Sequence, residues 1–587
     1  MTPPKLPGWM RLAAVLILVP PVVAVLAFGT GRLHGSHRNL VPLTTLGAIL
    51  ALLILAGHAL RFLPQSLSPP KGQWGAVLIT VVAAILVGVY FLRVLPLLRM
   101  PYDVASWSEP MFLVDADKLH TGTPLYLPPE DGNSNSYTFG APALTYFLAW
   151  LLRHPTSVVL YRFIQQLYLV LAALFGAAAT WRLGRLISPE RRAGPSKVWF
   201  AFFALALFLF ATNSNTARQN VYLHNEPLGW LASAVAFWLL MEYAVTRRAY
   251  WFYALAVMPA LAFLVKQYLA VWAVIYLVFL WFDGGIPVRR VVMFGVATFA
   301  LIGGTIGLCY AAWGASFYFW VFATMSGFTL SFQWLVERFV EVGWELALGL
   351  GASWILLRTQ DLQRVLGVIL GWVVLVVTAV YIMALAPYPT YFGSATLVGG
   401  CFFLAVVWKF WSEENYPQTP AQAWLHFALG VALVIAVLAG LGHPHSQVWQ
   451  NTPDLARYVG QIEREFAGQN VSRVLLDEGD WIYLREGVVM KDRQAILTTP
   501  RIARLDGMME RVRQHYYQKI LVHTLSDGTY LYDLALDRGI QRNLLQHYHE
   551  VRRIPGVRDL SVHYGFLMLG DIIVLEPQST ATALPGD

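Results

Sequence analysis

Apolar runs long enough to cross a bilayer recur along this chain, and no other feature constrains its fold as strongly. A membrane-spanning helix needs about 20 mostly apolar residues. Such runs stand near 11–28, 42–63, 75–98, 158–181, 198–213, 227–245, 250–265, 267–282, 290–312, 343–357, 364–386, 391–411 and 421–442. Thirteen runs predict an α-helical polytopic membrane protein, with the short pair around Lys266 the weakest members. The first run is followed by further spans and by no small-residue cleavage site, so it reads as a span and not as a signal peptide.

Composition excludes the main competitors. Of 587 residues, 57% are hydrophobic and 13% charged, against about 25% charged in soluble domains. A cytosolic enzyme, a disordered chain and a fibrous repeat are all ruled out. The 22 tryptophans suit a chain that crosses the interfacial zones many times. Cys309 and Cys401 lie far apart in apolar runs, which gives neither a disulfide framework nor metal-ligand spacing.

The net charge of +8 is unevenly placed. From Ser446 onward there are 18 acidic and 16 basic residues, and before it 16 acidic and 26 basic. The basic excess sits in alternate short loops: Arg61 and Lys71, Arg182 to Lys197, Arg247 and Arg248, Arg289 and Arg290, Arg358 and Arg364. That is an orientation signal and not a nucleic-acid footprint. It predicts a cytosolic N-terminus in a multi-pass cytoplasmic (inner) membrane protein. Loops 99–157 and 313–342 and the tail would then lie outside.

Three regions follow: extra N-terminal helices over 1–74, a transmembrane module over 75–445, and a soluble α/β domain over 446–587. In the last, 471–484 reads as a strand and a turn, 501–517 as an amphipathic helix, and 519–523 and 571–576 as buried strands. It shows no phosphate-cradling glycine loop, no His/Cys cluster and no nucleophile elbow, and so reads as a structural or acceptor-positioning cap.

Ionisable residues at the rim of an apolar bundle are costly unless paired or functional. Loop 99–157 holds Asp103, Glu109, Asp115, Asp117, Glu130 and Asp131. Glu109 precedes Pro110 at a helix start, with Met111, Phe112, Val114 and Leu119 forming an apolar stripe. The pattern predicts a helix lying in the membrane interface. Its carboxylate fits a general base, and equally a helix cap. A second loop places Arg218, His224 and Glu226 before a span starting at Pro227. Arg218 fits a snorkelling anchor, Glu226 again a cap, and His224 has no partner at metal-ligand spacing. Lys266, inside an apolar stretch, must reach water, a carboxylate or an anion such as a lipid phosphate. Tyr388 and Tyr391 in the proline-rich break 386–393 could stack on a sugar or serve in the interfacial belt.

The run Glu109-Pro110, Asp115, Leu119, Gly122, Pro124-Leu125-Tyr126 resembles the first outer loop of GT-C superfamily glycosyltransferases. YTFGAPALTYFLAWLL (137–152) resembles the segment closing that loop, and HNEPLGWLASAVAFWLL (224–240) the second acidic loop and its span. FLVKQYLAVW (263–272) resembles the lysine-containing hairpin, and YPTYFGSATL (388–397) a later motif. The likeness covers about 75–582 and is best to the polyprenyl-phosphate-sugar-dependent branch, with lipid A aminoarabinose transferase and protein O-mannosyltransferases as relatives. The family's Asp-Glu pair reads Ser108-Glu109 here, and the usual Asn near 388 is missing.

The resemblance implies a GT-C fold and transfer of a sugar from a polyprenyl-phosphate donor to a glycan, lipid or protein acceptor. Inversion would follow from a single displacement with Glu109 as general base. It implies Lys266 and Arg218 at the donor phosphate, and Asp103, Asp115, His224, Glu226, Tyr388 and Tyr391 around the acceptor. No metal ligand set is expected from the sequence. Metal use varies in this superfamily, which leaves a divalent cation at Glu226 as an option. The rival classes are a lipid-linked-substrate transporter, which would place charges within spans and show inverted repeats, and a noncatalytic assembly factor.

Overall fold

The structure is a computed structural model that describes residues 72–104, 108–188, 195–217, 219–324, 331–357, 362–385, 388–412, 453–477, 479–490, 492, 506–524, 528–530, 540–557 and 570–578. The predicted spans 11–28, 42–63 and 421–442, and Arg218, lie outside these residues.

Twelve α-helices precede residue 413 among the described residues. They are α1 (Gly72–Leu98), α2 (Glu109–Thr121), α3 (Gly140–Leu151), α4 (Val158–Ile187), α5 (Lys197–Asn213) and α6 (Asn225–Thr246). The chain continues through α7 (Ala249–Val265), α8 (Trp272–Phe282), α9 (Val288–Tyr318), α10 (Phe332–Leu356), α11 (Leu362–Leu385) and α12 (Gly393–Ser412). Ten predicted spans fall on these helices, and among the described residues six helices are long and apolar enough to cross a membrane. The span read at 267–282 begins as a 3-10 turn, Gln267–Val271, before α8.

Burial separates the central helices from the peripheral ones. The apolar window of α12 is 94% buried, against 22% for α1 and 28% for α9. On α1 and α9 large apolar side chains such as Ile85, Leu92, Val296 and Leu308 face outward, as lipid-facing positions do. Inside, α4 runs along α6 and α5, and α12 along α10. Small residues allow the α10–α12 approach, because a Cβ on Gly349 would lie 3.2 Å from the Cα of Gly399.

The expected loop over 313–342 is a correction. Helix α9 runs to Tyr318 and continues as a π-turn to Ala323, and α10 already begins at Phe332. Glu337 and Glu341 lower the hydropathy of the segment before 343 although its backbone is helical from Phe332.

After residue 453 the chain forms α13 (Pro453–Phe466), β1 (Val474–Leu476), α14 (Trp481–Glu486), α15 (Asp506–Arg513), β2 (Lys519–His523), α16 (Ile540–His547), β3 (Tyr548–Ile554) and β4 (Ile572–Pro577). The sheet order is β1-β2-β4-β3, with β1 parallel to β2 and the other pairs antiparallel. The predicted helix over 501–517 is described over Asp506–Arg513. Strand β3 is absent from the sequence reading. It is an edge strand, YHEVRRI, whose five central residues are exposed, so it lacks apolar alternation and carries the charges that protect sheet edges.

The α10–α11–α12 crossing gives a test. A Cβ at position 349 would sit 2.5 Å from the buried Trp372 ring, whereas one at Gly343 on the same helix meets nothing within 4 Å. Gly349→Ala should lower stability in detergent by about 1–3 kcal/mol, and Gly343→Ala should leave it unchanged or raise it. Thermal unfolding of both variants checks this.

Candidate active site

Helix α2 starts after Ser108 with Pro110 in its first turn and stops at Gly122, whose φ of 74° is left-handed. Glycine adopts that conformation at little cost, and its N–H reaches the Lys118 carbonyl as a C-cap. All of 109–118 is buried. The helix therefore does not lie open in the membrane interface as the sequence predicts. It is enclosed between the bundle end and the tail region, whose α14 packs against it.

Glu109 is fully buried, and both its oxygens are held by the equally buried Arg162 of α4. Arg162 Nε donates to Oε1 at 2.8 Å and one Nη to Oε2 at 2.5 Å. The other N–H groups reach the carbonyls of Leu97, Met100 and Tyr102 at 2.8, 2.8 and 2.9 Å. The Leu223 N–H adds a bond to Glu109 Oε1 at 3.1 Å. A general base needs an oxygen turned toward the acceptor. Here both oxygens accept from the guanidinium, so in this structure Glu109 anchors α2 to α4.

One turn further on, α2 carries a looser pair. Lys118 Nζ donates to Leu125 O at 2.8 Å, Asn133 O at 2.7 Å and Ser134 Oγ at 3.2 Å. These account for its three protons, so Asp115 feels its charge without taking one of its bonds. Burial lifts the Asp115 carboxyl from 3.8 to about 6, with Lys118 and neighbouring Asn135 opposing the shift. Burial likewise lowers the Lys118 ammonium to about 8, and Asp115, Asp131 and Asp117 oppose it. A buried carboxylate poised near neutrality is a property of proton-transfer groups.

The third cluster surrounds Lys266 at the break between α7 and the 267–271 turn. Lys266 is buried and pairs with buried Glu226 at the start of α6. Its ammonium lies 4.5 Å from the ring centre of Tyr391 and 5.2 Å from those of Tyr137 and Tyr268. Tyr137 and Tyr391 hydroxyls are 3.0 Å apart. Gln267 Nε2 donates to Ser136 O at 2.7 Å and Val321 O at 3.2 Å, and Thr138 Oγ1 to Phe263 O at 2.9 Å, which fixes the 136–138 segment beside the lysine. Phe112 of α2 joins this cluster to the previous one, its ring centre 4.5 Å from His224 and 6.2 Å from Tyr137.

The structure thus brings Glu226, His224, Lys266 and Tyr391 together, with half-buried Tyr388 beside Tyr391 at 6.4 Å between ring centres. Asp103 is elsewhere. Its carboxylate takes the Asp480 N–H at 2.8 and 3.0 Å, which ties it to the tail region. His224 Nδ1 accepts the Glu226 N–H at 3.3 Å. Arg162, Lys118, Tyr137 and Tyr268 were missed by the sequence reading, since none belongs to a local pattern that points to its partner. Among the described residues no three His, Cys, Asp or Glu side chains converge on a metal position. A divalent cation at Glu226 therefore has no supporting ligand set, and Glu226 is engaged by Lys266.

The tail region clasps the same loop from the other side. Asn133 Nδ2 donates to Met490 O at 3.1 Å, the Asp492 N–H to Asp131 O at 2.8 Å, and Arg511 to Glu130 O at 3.2 Å. Asp492 is itself held by Arg511 and Tyr517.

No protein-family model matches this chain, and no curated protein does. Among solved structures it is similar to the archaeal oligosaccharyltransferase AglB from Archaeoglobus fulgidus, in complex with an inhibitory peptide and a dolichol-phosphate. The identity is 11%, over 83% of this chain and 80% of that one, with a TM-score of 0.48. A second structure of the A. fulgidus oligosaccharyltransferase, tethered to an acceptor peptide, matches at 12% identity over 82% and 80%, with a TM-score of 0.47. A third, in complex with Zn and sulfate, matches at 12% over 82% and 79%, with a TM-score of 0.46. At this overlap the likeness assigns no residue and no reaction here.

Two predictions follow from the two α2 pairs. Arg162→Met leaves a buried carboxylate unpaired and should cost about 3–5 kcal/mol, while Arg162→Met combined with Glu109→Gln should recover part of the loss in the same unfolding assay. For Asp115, the folded value lies above the unfolded one, so the folded chain holds that proton more tightly. Its contribution is complete below about pH 4 and is lost as pH rises toward 6. The stability of Asp115→Asn should gain on wild type across that window, and parallel curves would show that Asp115 does not titrate there.

Proposed function

We propose that this chain is a GT-C-type membrane glycosyltransferase, which moves a sugar from a polyprenyl-phosphate donor to an acceptor at the outer face of the cytoplasmic membrane. The observation that carries this reading is the unequal use of three buried cations. Arg162 spends all five N–H groups, and Lys118 all three. Among the described residues Lys266 gives one hydrogen bond, to Glu226, and otherwise faces aromatic rings. A buried ammonium with protons to spare suits an anion, and in this reading that anion is the phosphate of the lipid carrier.

In this reading Lys266 stabilises the charge that develops on the leaving phosphate, with Glu226 keeping the lysine protonated and oriented. Asp115 takes the proton of the acceptor hydroxyl or amine. The acceptor atom bonds to the anomeric carbon as the bond from that carbon to the phosphate oxygen breaks, with inversion. The lipid phosphate departs as the anion held at Lys266. Tyr137, Tyr391 and Tyr388 form the wall on which a sugar ring can stack, and Asp103 holds the tail region over the loop.

Purified protein with a radiolabelled polyprenyl-phosphate sugar and membrane extract tests this. Asp115→Asn should lower turnover by about 10²- to 10⁴-fold with donor affinity kept, and wild-type turnover should climb through about pH 6 as Asp115 ionises. Lys266→Ala should weaken donor binding. Equal transfer by Asp115→Asn and wild type removes Asp115 from the chemistry. Donor-independent uptake into vesicles without transfer would instead identify a transporter.

A further inference from the structure

Asn225 stands between His224 and Glu226 in the first turn of α6 and is completely buried. Neither its Nδ2 nor its Oδ1 has a hydrogen-bond partner among the described residues. Since both ends are open, exchanging amide oxygen and nitrogen would not change this. Buried side-chain amides are normally satisfied, and an exception calls for a reason. As the first residue of α6 it does not use its side chain as a cap, since the described N-cap bond is made by His224.

Its position indicates what it meets. Residues four apart share a helix face, and Gly229, one turn beyond Asn225, faces Leu269 of the 267–271 turn, 3.7 Å from where its Cβ would lie. That face leads to the break that holds Lys266, and Asn225 is adjacent in sequence to the lysine's partner Glu226. The helix start adds N–H groups and a positive dipole end to the same place. Five residues on, toward a neighbouring face, the buried Trp230 Nε1 is another donor without a partner among the described residues, and it faces Gly393 beside the tyrosine segment. The first turns of α6 thus hold one open acceptor and two open side-chain donors among the described residues, on the helix whose Glu226 pairs with Lys266.

We propose that Asn225 reads the sugar of the lipid-linked donor: its amide gives an N–H to one hydroxyl and takes the O–H of a neighbouring one. An amide presents a donor and an acceptor side by side, which matches two adjacent ring hydroxyls. A bare lipid phosphate would leave it unsatisfied. The inference rests on the reading of Lys266 as the phosphate site, and it adds the residue that distinguishes a glycosylated carrier from an empty one and one sugar from another.

The test uses the full chain in nanodiscs with polyprenyl phosphate alone and with polyprenyl-phosphate mannose, glucose and arabinose. Wild type should bind at least one sugar-bearing lipid more tightly than the bare lipid. Asn225→Leu should weaken that ligand about tenfold, as loss of a hydrogen bond does, and leave the bare lipid unchanged. Thermal stability of the ligand-free variant should be equal or higher, because an unpaired buried amide has been removed. Asn225→Asp, which keeps the acceptor and loses the donor, should alter the ranking of the three sugars. An equal loss for bare and sugar-bearing lipid would make Asn225 structural and overturn the inference, as would no loss for either, or a wild type that binds them all alike. Lys266→Ala separates this from the parent reading: it should weaken both kinds of ligand, and failure of wild type to bind any polyprenyl phosphate would remove the lipid-donor reading and this inference with it.

Discussion

The guanidinium of Arg162 is the joint on which this end of the molecule depends. It lies inside a 30-residue apolar helix, where a lone charge would be prohibitive. All five of its N–H groups are used, on Glu109, on the Leu97 carbonyl in the last turn of α1, and on the Met100 and Tyr102 carbonyls just beyond it. A last-turn carbonyl has no i+4 partner within its helix and must find other donors. Glu109 in turn takes the Leu223 N–H just before α6. One ion pair thus fixes the exit of α1, the entry of α2, the start of α4 and the approach to α6. A buried pair of this kind is weak evidence for added stability, since a well-packed apolar pair of equal volume can be as stable. Its effect is to set a single register among four segments that bear the candidate site.

The same contrast between spent and unspent hydrogen bonds sorts structural charges from candidate functional ones. Arg162 and Lys118 saturate their donors on protein, so a ligand would have to displace those bonds. Lys266 is surrounded by ring faces, which attract a cation but exchange readily for a stronger anion. Burial alone would not separate the three, since all are inaccessible. Counting donors against acceptors does, and it extends to neutral groups such as Asn225.

How much of this was legible follows from where the partners lie. The apolar runs gave ten helices at nearly their observed positions because span length and composition are local properties. Helix α2, with Pro110 at its start and Gly122 at its end, was legible for the same reason. The role of Glu109 was not. A carboxylate at a helix start carries the same local signature whether it caps, pairs or catalyses, and the deciding partner is 53 residues away inside what reads as an unbroken span. Glu345 depends on distance in the same way: it receives the Asn215 N–H at 2.7 Å and the Thr396 hydroxyl at 3.2 Å, so two distant segments satisfy a charge inside an apolar helix. Strand β3 was hidden by the opposite cause, since an edge strand needs charge and so gives up the alternation that would announce it.

The tail region acquires a definite mechanical part once its contacts are counted from the loop's side. Asp103, Glu130, Asp131 and Asn133 each meet it through a backbone group or a side chain. Gly507 allows the closest approach, since a Cβ there would lie 2.5 Å from the Glu130 carbonyl. The segment 133–138 that follows carries the carbonyls holding Lys118 and Gln267 and the tyrosine beneath Lys266. Loop segments move more easily than helices unless tied down. Here a loop that bears part of the candidate site is tied at one end by Arg162 within the bundle and at the other by the tail region. Asp115 and Lys266 sit on the two sides of that loop. Their relative placement is therefore set by contacts made far from either, and in the proposed transfer, where the two would act on opposite faces of one anomeric carbon, such fixing favours reaction.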